Sequence, residues 1–322
     1  MDTSLKHILI TGASGYIGSR LVDHFERNFD AKLFLVGRDL EKIKVLFKKE
    51  HNLINYNRLI GDDKNLLSNI DIIIHLSALN EICSKKDPIE AFKVNTLETE
   101  ILLNNAMRQR VPRFIYLSTA HVYGSPLQGY IDETVIPHPV HPYAVSHLNA
   151  EHLVWHANSS KQICGTILRL SNSFGYPHHV NINRWTLLVN SICRDIISKG
   201  KIFLQSTGDQ QRDFVTLTDV LRGISFFCNI SEKSNGDGIF NLGGNCSMTI
   251  LEMANKTADI AENIFGFRPN IVTSKNRISS TDEPLNYSVK KLQDLKFQLK
   301  RNIEEEIEET LLRCKEWFDE LR

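Results

Sequence analysis

Nothing in this chain pairs its cysteines. Cys83, Cys164, Cys193, Cys228, Cys246 and Cys314 stand far apart, with no Cys-x-x-Cys among them, so neither a zinc site nor a disulfide framework is indicated. They read as buried thiols in a reducing compartment. Charge of one sign is missing too: 38 Lys+Arg balance 38 Asp+Glu, and no net field draws the chain to nucleic acid or an anionic membrane. No apolar run reaches the ~18 residues of a membrane span, and Met1 to His7 is too short and polar to open a signal peptide. The expected compartment is the cytosol and the expected partner a small molecule or a protein. Internal repeats and low-complexity tracts are absent. What remains is a chain of 322 residues, 42% of them hydrophobic, enough to bury the core of one large domain or two modest ones.

The stretch Thr11-Gly12-Ala13-Ser14-Gly15-Tyr16-Ile17-Gly18 is the strongest local signal. It follows the apolar run Ile8-Leu9-Ile10 and precedes a helical pattern at Ile17, Leu21, Val22 and Phe25. Strand, glycine-rich turn and helix are the expected order. Glycines there permit a tight turn, let the main chain approach a pyrophosphate and leave no side chain between helix start and sheet. The helix N-terminus then supplies free N–H groups and partial positive charge to the anion.

Apolar β-type runs alternate with helical patterns through the first half, which predicts a parallel sheet with crossover helices. Lys32 to Val36 is the second strand, followed by Gly37-Arg38-Asp39 and a helix over Leu40 to Lys49. An acid at that strand end would bind the 2′-OH of NAD, whereas Arg38 pairs with the 2′-phosphate of NADP or is a solvated arginine opening a helix. Arg58-Leu59-Ile60 ends in Gly61-Asp62-Asp63. Ile70 to His75 is a continuous apolar strand running into Leu76-Ser77-Ala78, at the strand C-termini where open α/β sheets bind ligands. Pro88 suits the first turn of a long helix through Ala91, Val94, Leu97, Ile101, Leu102 and Met107, with Asn95 on its length. Arg113 to Leu117 is a strand, Ser125 to Pro142 an ordered active-site loop, Tyr143 to Asn158 a helix and Gln162 to Arg169 a strand. Helices follow near Trp185 to Ser198, Thr218 to Cys228 and Ile250 to Phe265. A last one carries Ile303, Ile307, Leu311, Cys314 and Phe318 on one face, with Glu304-Glu305-Glu306 as a solvated face at its start.

Taken together these segments resemble an extended short-chain dehydrogenase/reductase, the group of nucleotide-sugar epimerases, dehydratases and ketoreductases. The resemblance covers nearly the whole chain. It implies an α/β fold: a doubly wound parallel sheet (Rossmann) over residues 1–170 with a smaller C-terminal α/β substrate domain over 171–322, some of whose segments return to the sheet, and an active site in the cleft between them. It implies NADP or NAD as cofactor, a nucleotide-sugar substrate, and a homodimer through the Pro88 helix and the helix after Tyr143. Thr11 to Gly18 resembles the Thr-Gly-x-x-Gly-x-x-Gly turn, which makes Gly12, Ser14, Gly15, Tyr16, Ile17 and Gly18 cofactor-binding. Asp62 and Asp63 fall where the family contacts adenine, Leu76, Ser77 and Ala78 where its backbone lines the cofactor, and Asn95 at its helix asparagine. Ser118-Thr119 with Val122-Tyr123-Gly124 places the catalytic Ser/Thr at Thr119. Tyr143, 24 residues on, opens the counterpart of Tyr-x-x-x-Lys. Leu170, Ser171 and Asn172, with Phe174-Gly175, match the segment that places cofactor and sugar nucleotide, and Phe240-Asn241-Leu242-Gly243 is a further family feature. Arg212, in Gly208 to Val215, matches the arginine that grips a nucleotide diphosphate, and His121 is expected to face the sugar.

Oxidation of a sugar hydroxyl needs a hydride acceptor and a base for the O–H proton; nicotinamide supplies the first and Tyr143 is the candidate for the second. Free tyrosine has a pKa near ~10, so it needs help at neutral pH. Here the lysine of the motif is replaced by His147, which shares a helix face with Tyr143 four residues earlier. A neutral imidazole can hydrogen-bond a ribose but lends Tyr143 no full charge. His147 is therefore either a functional stand-in for lysine or the mark of a dinucleotide-binding protein with weak turnover. Ala120-His121 stands where the family's dehydratases carry Asp-Glu, which argues against dehydration. Asn80 stands where some 4-epimerases have a lysine, and Ser279, with Arg277 nearby in the region before Asp282-Glu283-Pro284, where a second phosphate-binding arginine is expected. His138, His141, His178 and His179 match no metal-ligand spacing. The leading expectation is an NAD(P)-dependent oxidoreductase working through a keto-sugar at C4, with an epimerase that retains NAD as the same-class alternative.

Overall fold

The structure, a computed structural model, describes residues 5–274, 283–300 and 302–319. Arg277, Ser279 and Asp282 lie outside the described residues. The chain divides into two compact units. The first comprises Met1–Ser125, Ile136–Leu170 and Gly223–Phe240, the second Pro126–Val135, Ser171–Arg222 and Asn241–Arg322.

The first unit is built on a seven-stranded sheet. Strands β1 (Lys6–Thr11), β2 (Ala31–Gly37), β3 (Asn52–Asn55), β4 (Ile72–His75) and β5 (Arg113–Thr119) are joined by the strands Cys164–Leu170 and Ile239–Leu242. Across the sheet the order is Ile239–Leu242, Cys164–Leu170, β5, β4, β1, β2, β3. β1 pairs in parallel with β2 and β4, and so do β2 with β3, β4 with β5 and β5 with Cys164–Leu170. Ile8, Leu9 and Ile10 of β1 and Ile72, Ile73 and Ile74 of β4 are all buried, as expected of parallel strands covered on both faces. The doubly wound Rossmann sheet is thus observed, and its strand order reverses between β1 and β4. Thr11 and His75 are register partners there, so the loops leaving both strands emerge side by side at the switch point where such sheets bind ligands.

Several elements depart from expectation. The alternation of apolar runs does not announce β3; Arg58 and Leu59 belong instead to a short helix, Tyr56–Leu59. The helix after Arg38 stops at Leu46. The Pro88 helix does run to Arg108, but residues Lys93–Leu97 form a π-helical turn with Asn95 buried in it. Such turns insert an extra residue into the helical ladder and occur often at functional sites. Helix Pro142–Ser159 opens with proline at its first turn, and His141 Nδ1 accepts the Ala144 N–H at 3.3 Å as its cap.

The second unit holds a three-stranded sheet in which Gln211–Thr216 lies between Asn172–Phe174 (parallel) and Ser247–Thr249 (antiparallel). Two further parallel pairs join Lys201–Leu204 to Asn270–Thr273 and Tyr130–Ile131 to Asn286–Tyr287. Helices Leu188–Lys199, Ile250–Phe265 and Ile303–Phe318 pack a separate apolar core around Ile192, Ile196, Met253, Ile307 and Leu311. Ile250–Phe265 is fixed at both ends, by the Thr249/Glu252 capping box and by Gly266 at φ 73°. Glu306 is not part of a solvated face. It is buried, and its Oε2 accepts the Thr218 N–H at 3.2 Å. All six cysteines are free thiols, yet Cys83 is exposed rather than buried and Cys246 is only partly covered. Among the described residues no helix is long and apolar enough to cross a membrane.

Candidate active site

The glycine turn is shaped by contacts that only glycine allows. Gly12 takes φ +67°, and a β-carbon there would lie 3.0 Å from the Leu76 carbonyl carbon and the Ser77 nitrogen. A β-carbon at Gly18 would run into the Gly12 carbonyl. Gly15 donates its N–H to that same carbonyl at 2.9 Å and caps helix α1 (Tyr16–Asn28) without any side-chain cap, and no acid occupies the first turn. Ser14, Tyr16 and Ile17 surround the α1 terminus, where the N–H groups and dipole of a helix start favour an anion.

Beneath the turn a buried chain of hydrogen bonds holds the neighbouring loop. Thr11 Oγ1 accepts the Leu76 and Ser77 N–H groups at 3.1 and 3.2 Å and lies 2.7 Å from His75 Nδ1. With two donors already aimed at that oxygen, the hydroxyl proton goes to His75 Nδ1. His75 Nε2–H then faces Thr99 Oγ1 at 2.9 Å, and Thr99 donates to the Asn95 carbonyl at 2.8 Å. Burial pushes His75 down to about 4, which agrees with a neutral ring. Beyond Ala78, the Leu79 N–H donates to Asn95 Oδ1 at 2.7 Å, while Asn95 Nδ2 donates to Ser146 Oγ at 3.0 Å. Asn95 therefore ties the loop after β4 to the helix that carries Tyr143.

That helix runs along β5. Tyr116 meets His147, with Oη 2.7 Å from Nδ1, and Ser118 Oγ donates to Glu151 Oε1 at 2.5 Å. Two residues of strand and four of helix advance nearly the same distance, roughly 6.6 and 6.0 Å, so the two contacts repeat in step. Arg169 from the adjacent strand makes a two-pronged ion pair with Glu151, the shortest contact 2.7 Å, and lies over the Tyr123 ring at 4.7 Å. Burial alone would lower Arg169, but the charge and hydrogen bonds of Glu151 outweigh it and the net shift is upward.

At the end of β5, Thr119 Oγ1 accepts the His121 N–H at 3.2 Å and caps the short 3-10 turn Ala120–Tyr123. A file of rings leads on from there. His121 and His141 are 5.4 Å apart between centroids, His141 and Tyr143 6.0 Å, Tyr143 and His147 4.4 Å. His147 is 2% exposed, and burial, followed by the influence of His75, His121 and His141, pushes it down to about 3. His141 is lowered too, chiefly by burial. Tyr116, buried in mid-strand, is raised well above the ordinary phenol range by burial and then by the Glu151 charge. No sequence motif singles Tyr116 out. The usable signal is its place two residues before Ser118, on the strand face that looks toward residues 147 and 151.

The other expected site residues have partners of their own. Arg38 is engaged by Glu98 at 3.3 Å and lies over the Tyr56 ring at 5.3 Å; Glu98 also accepts the Tyr56 hydroxyl at 2.8 Å. Asp62 and Asp63 lie at the surface in ion pairs with Arg108 (3.2 Å) and Arg58 (2.8 Å), and the bond from Arg58 lowers Asp63. Leu170 is buried at the end of its strand in the first unit. In the second unit Ser171 Oγ donates to Asp213 Oδ2 at 2.6 Å and Asn172 Nδ2 to the Asp213 carbonyl at 3.1 Å. Arg212 reaches Gln210 Oε1 at 3.3 Å, is lowered by burial, and has no ion pair among the described residues. Asn80 caps the helix Glu81–Lys86, accepting the Cys83 N–H at 2.9 Å. Among the described residues no group of three or more His, Cys, Asp or Glu is placed to hold a metal ion.

Two features test whether a dinucleotide fits these residues. The glycine cradle is one, since a β-carbon at Gly12 or Gly18 has no room. The other is His147 Nε2, a buried ring nitrogen with no hydrogen-bond partner among the described residues, such as a ligand oxygen would satisfy. Both fit.

A parallel sheet with a glycine turn at its switch point defines the chain as a dinucleotide-binding protein of the Rossmann class. Residues 8–243 match the NAD dependent epimerase/dehydratase family, and the chain belongs to it. It is 29% identical over 267 residues to the dTDP-D-glucose 4,6-dehydratase of Bos taurus, covering 79% of this chain and 72% of that one. It is 28% identical over 289 residues to the Dictyostelium discoideum enzyme of the same description, covering 81% of this chain but only 63% of that enzyme's length. Among solved structures, a UDP-glucuronic acid 4-epimerase from Bacillus cereus, in complex with UDP-glucuronic acid and NAD, superposes with a TM-score of 0.78 over 97% of this chain and 100% of that one, at 23% identity.

Proposed function

We propose that the protein is an NAD(P)-dependent nucleotide-sugar oxidoreductase that works through a keto-sugar at C4. The observation that carries this reading is the placing of Tyr143 and His147 one turn apart on the helix alongside β5, in the same unit as the glycine turn. A bound nicotinamide dinucleotide supplies hydride exchange with the sugar carbon. The protein's residues do the rest. Gly12 to Gly18 and the α1 terminus hold the pyrophosphate, Leu76, Ser77 and Ala78 line the dinucleotide, and Tyr143 exchanges the sugar hydroxyl proton with Thr119 as its hydrogen-bonding companion. His121 addresses the sugar. Arg212, a half-buried cation that donates to the Gln210 amide oxygen, is the candidate for the diphosphate.

Dehydration does not suit the site, although dehydratases are among the relatives. Ala120 and His121 occupy the turn after Thr119, and neither supplies a carboxyl group to assist loss of water. Epimerisation with a retained NAD is the second reading, favoured by the Glu98 carboxylate that already occupies Arg38. A third, dinucleotide binding with weak turnover, is favoured by the uncharged His147. We also propose a homodimer, because Ile89, Phe92, Leu97 and Ile101 on the Pro88 helix and Val145 and Trp155 on the Tyr143 helix are exposed apolar side chains. A cytosolic location is the matching proposal, consistent with six free thiols.

One experiment separates the three readings: incubation with UDP-, dTDP-, GDP- and CDP-sugars and either dinucleotide. Stoichiometric consumption of reduced nicotinamide supports the oxidoreductase. A product inverted at C4 with no net nicotinamide change supports the epimerase. Tight dinucleotide binding without conversion of any sugar leaves the third reading.

A further inference from the structure

His147 and Tyr116 share one hydrogen. Their 2.7 Å contact joins two buried groups, and burial favours the neutral form of each, the phenol protonated and the imidazole uncharged. A phenol is a far stronger acid than a neutral imidazole N–H, and an imidazole nitrogen a far better acceptor than a phenol oxygen. The shared hydrogen therefore belongs to Tyr116 Oη and is donated to His147 Nδ1. A neutral ring carries one proton, so the other nitrogen must hold it. The outcome is an N–H at Nε2, the buried ring atom without a partner among the described residues. Tyr116 is itself steadied by His75, whose ring stacks on it at 5.9 Å and 26°. The charged or titratable neighbours of the pair are Glu151 on the same helix, Tyr143, and the rings of His75, His121 and His141.

We propose that Tyr116 is a positioning residue that locks His147 as the neutral Nε2–H tautomer, so that the pair presents one fixed N–H donor to a dinucleotide hydroxyl. The ligand half of this statement rests on the function proposed above; the tautomer does not. A lysine at this place offers donors and a charge together, whereas the Tyr116–His147 pair keeps a donor and discards the charge. The direction of that donor is set by a β-strand residue 31 positions away in sequence. A lysine, which has three rotating donors and no tautomers, would need no such partner.

The imidazole nitrogens can be observed directly, by long-range ¹H–¹⁵N correlation on the full chain, with the His147 signals identified by their loss in His147→Gln. The expected spectrum has an unprotonated Nδ1, a protonated Nε2 and no titration between about pH 5 and 8. A proton on Nδ1, or titration in that range, overturns the proposal. Dinucleotide affinity supplies the second readout. Tyr116→Phe, which keeps the ring stacked on His75, is expected to weaken NAD or NADP binding about 10-fold in the native background. In a His147→Lys background the same change is expected to cost less than about 2-fold. Equal weakening in both backgrounds would show a merely structural tyrosine and would sink the idea. If the native protein binds no dinucleotide, the ligand half and the proposed function fall together, while the tautomer spectrum still decides the role of Tyr116.

Discussion

At the scale of single residues, proton exchange depends on Tyr143 and on what stands one turn after it. Removing only the phenol oxygen, in Tyr143→Phe, is expected to lower kcat by about 10²- to 10⁴-fold while dinucleotide affinity holds; steady-state kinetics beside a binding titration would check it. His147→Ala is expected to lower turnover to a similar degree, and His147→Lys to be tolerated or activating. Wild-type activity in His147→Ala would count against any role for the ring. Dinucleotide choice also turns on a residue pair. Arg38 is held by the Glu98 carboxylate, which repels a 2′-phosphate, so Glu98→Gln, which can still accept the Tyr56 hydroxyl, is expected to raise the affinity ratio of NADP to NAD about 5- to 10-fold. An unchanged ratio would remove Arg38 from the argument.

Elements decide where those residues stand. β5 and the Pro142–Ser159 helix are joined by the Tyr116–His147 and Ser118–Glu151 contacts, and Arg169 secures the second of them. Removing one partner of a buried ion pair leaves the other charge stranded, so Glu151→Ala is expected to cost about 3–5 kcal/mol in urea unfolding. A loss below about 1 kcal/mol would mean that Arg169 finds water. The strand and the helix were both legible in the sequence, although the helix starts at Pro142, which reads there as the end of the loop, because such patterns are local. Their relative register was not, because it is set by contacts across tens of residues. The π-helical turn at Lys93–Leu97 was equally hidden: the apolar spacing still reads as helix, and the extra residue shows only in where Asn95 points its amide.

For the molecule as a whole, burial of uncharged histidines makes stability depend on pH. His75 is held down to about 4 and His147 to about 3, against an ordinary 6.5. Below about pH 6.5 the unfolded chain takes up these protons and the folded chain does not. Their contribution is therefore fully present above that pH and is lost as pH falls toward 4, by about 1.4 kcal/mol per pH unit for each ring. Urea midpoints measured from pH 7 to 4 should fall, and His147→Gln should make the fall shallower; an identical slope would contradict the neutral ring.

The sequence by itself determined the doubly wound sheet and the dinucleotide turn, since alternating apolar runs and a glycine spacing act over a few residues at a time. It also determined the family, whose motifs stand in order along the chain. Tertiary structure alone decided the partners. Arg38 is met by a carboxylate 60 residues on, and Glu306, written among acids that look solvated, is buried against the Thr218 N–H. Cys83, one thiol among six that look alike in sequence, is left exposed. Hydrogen bonds and ion pairs form between whatever groups the packed elements bring within about 3 Å, a distance that spacing along the chain does not encode. For that reason His147, read from the sequence as a lysine lost, stands in the fold as one half of a pair with Tyr116.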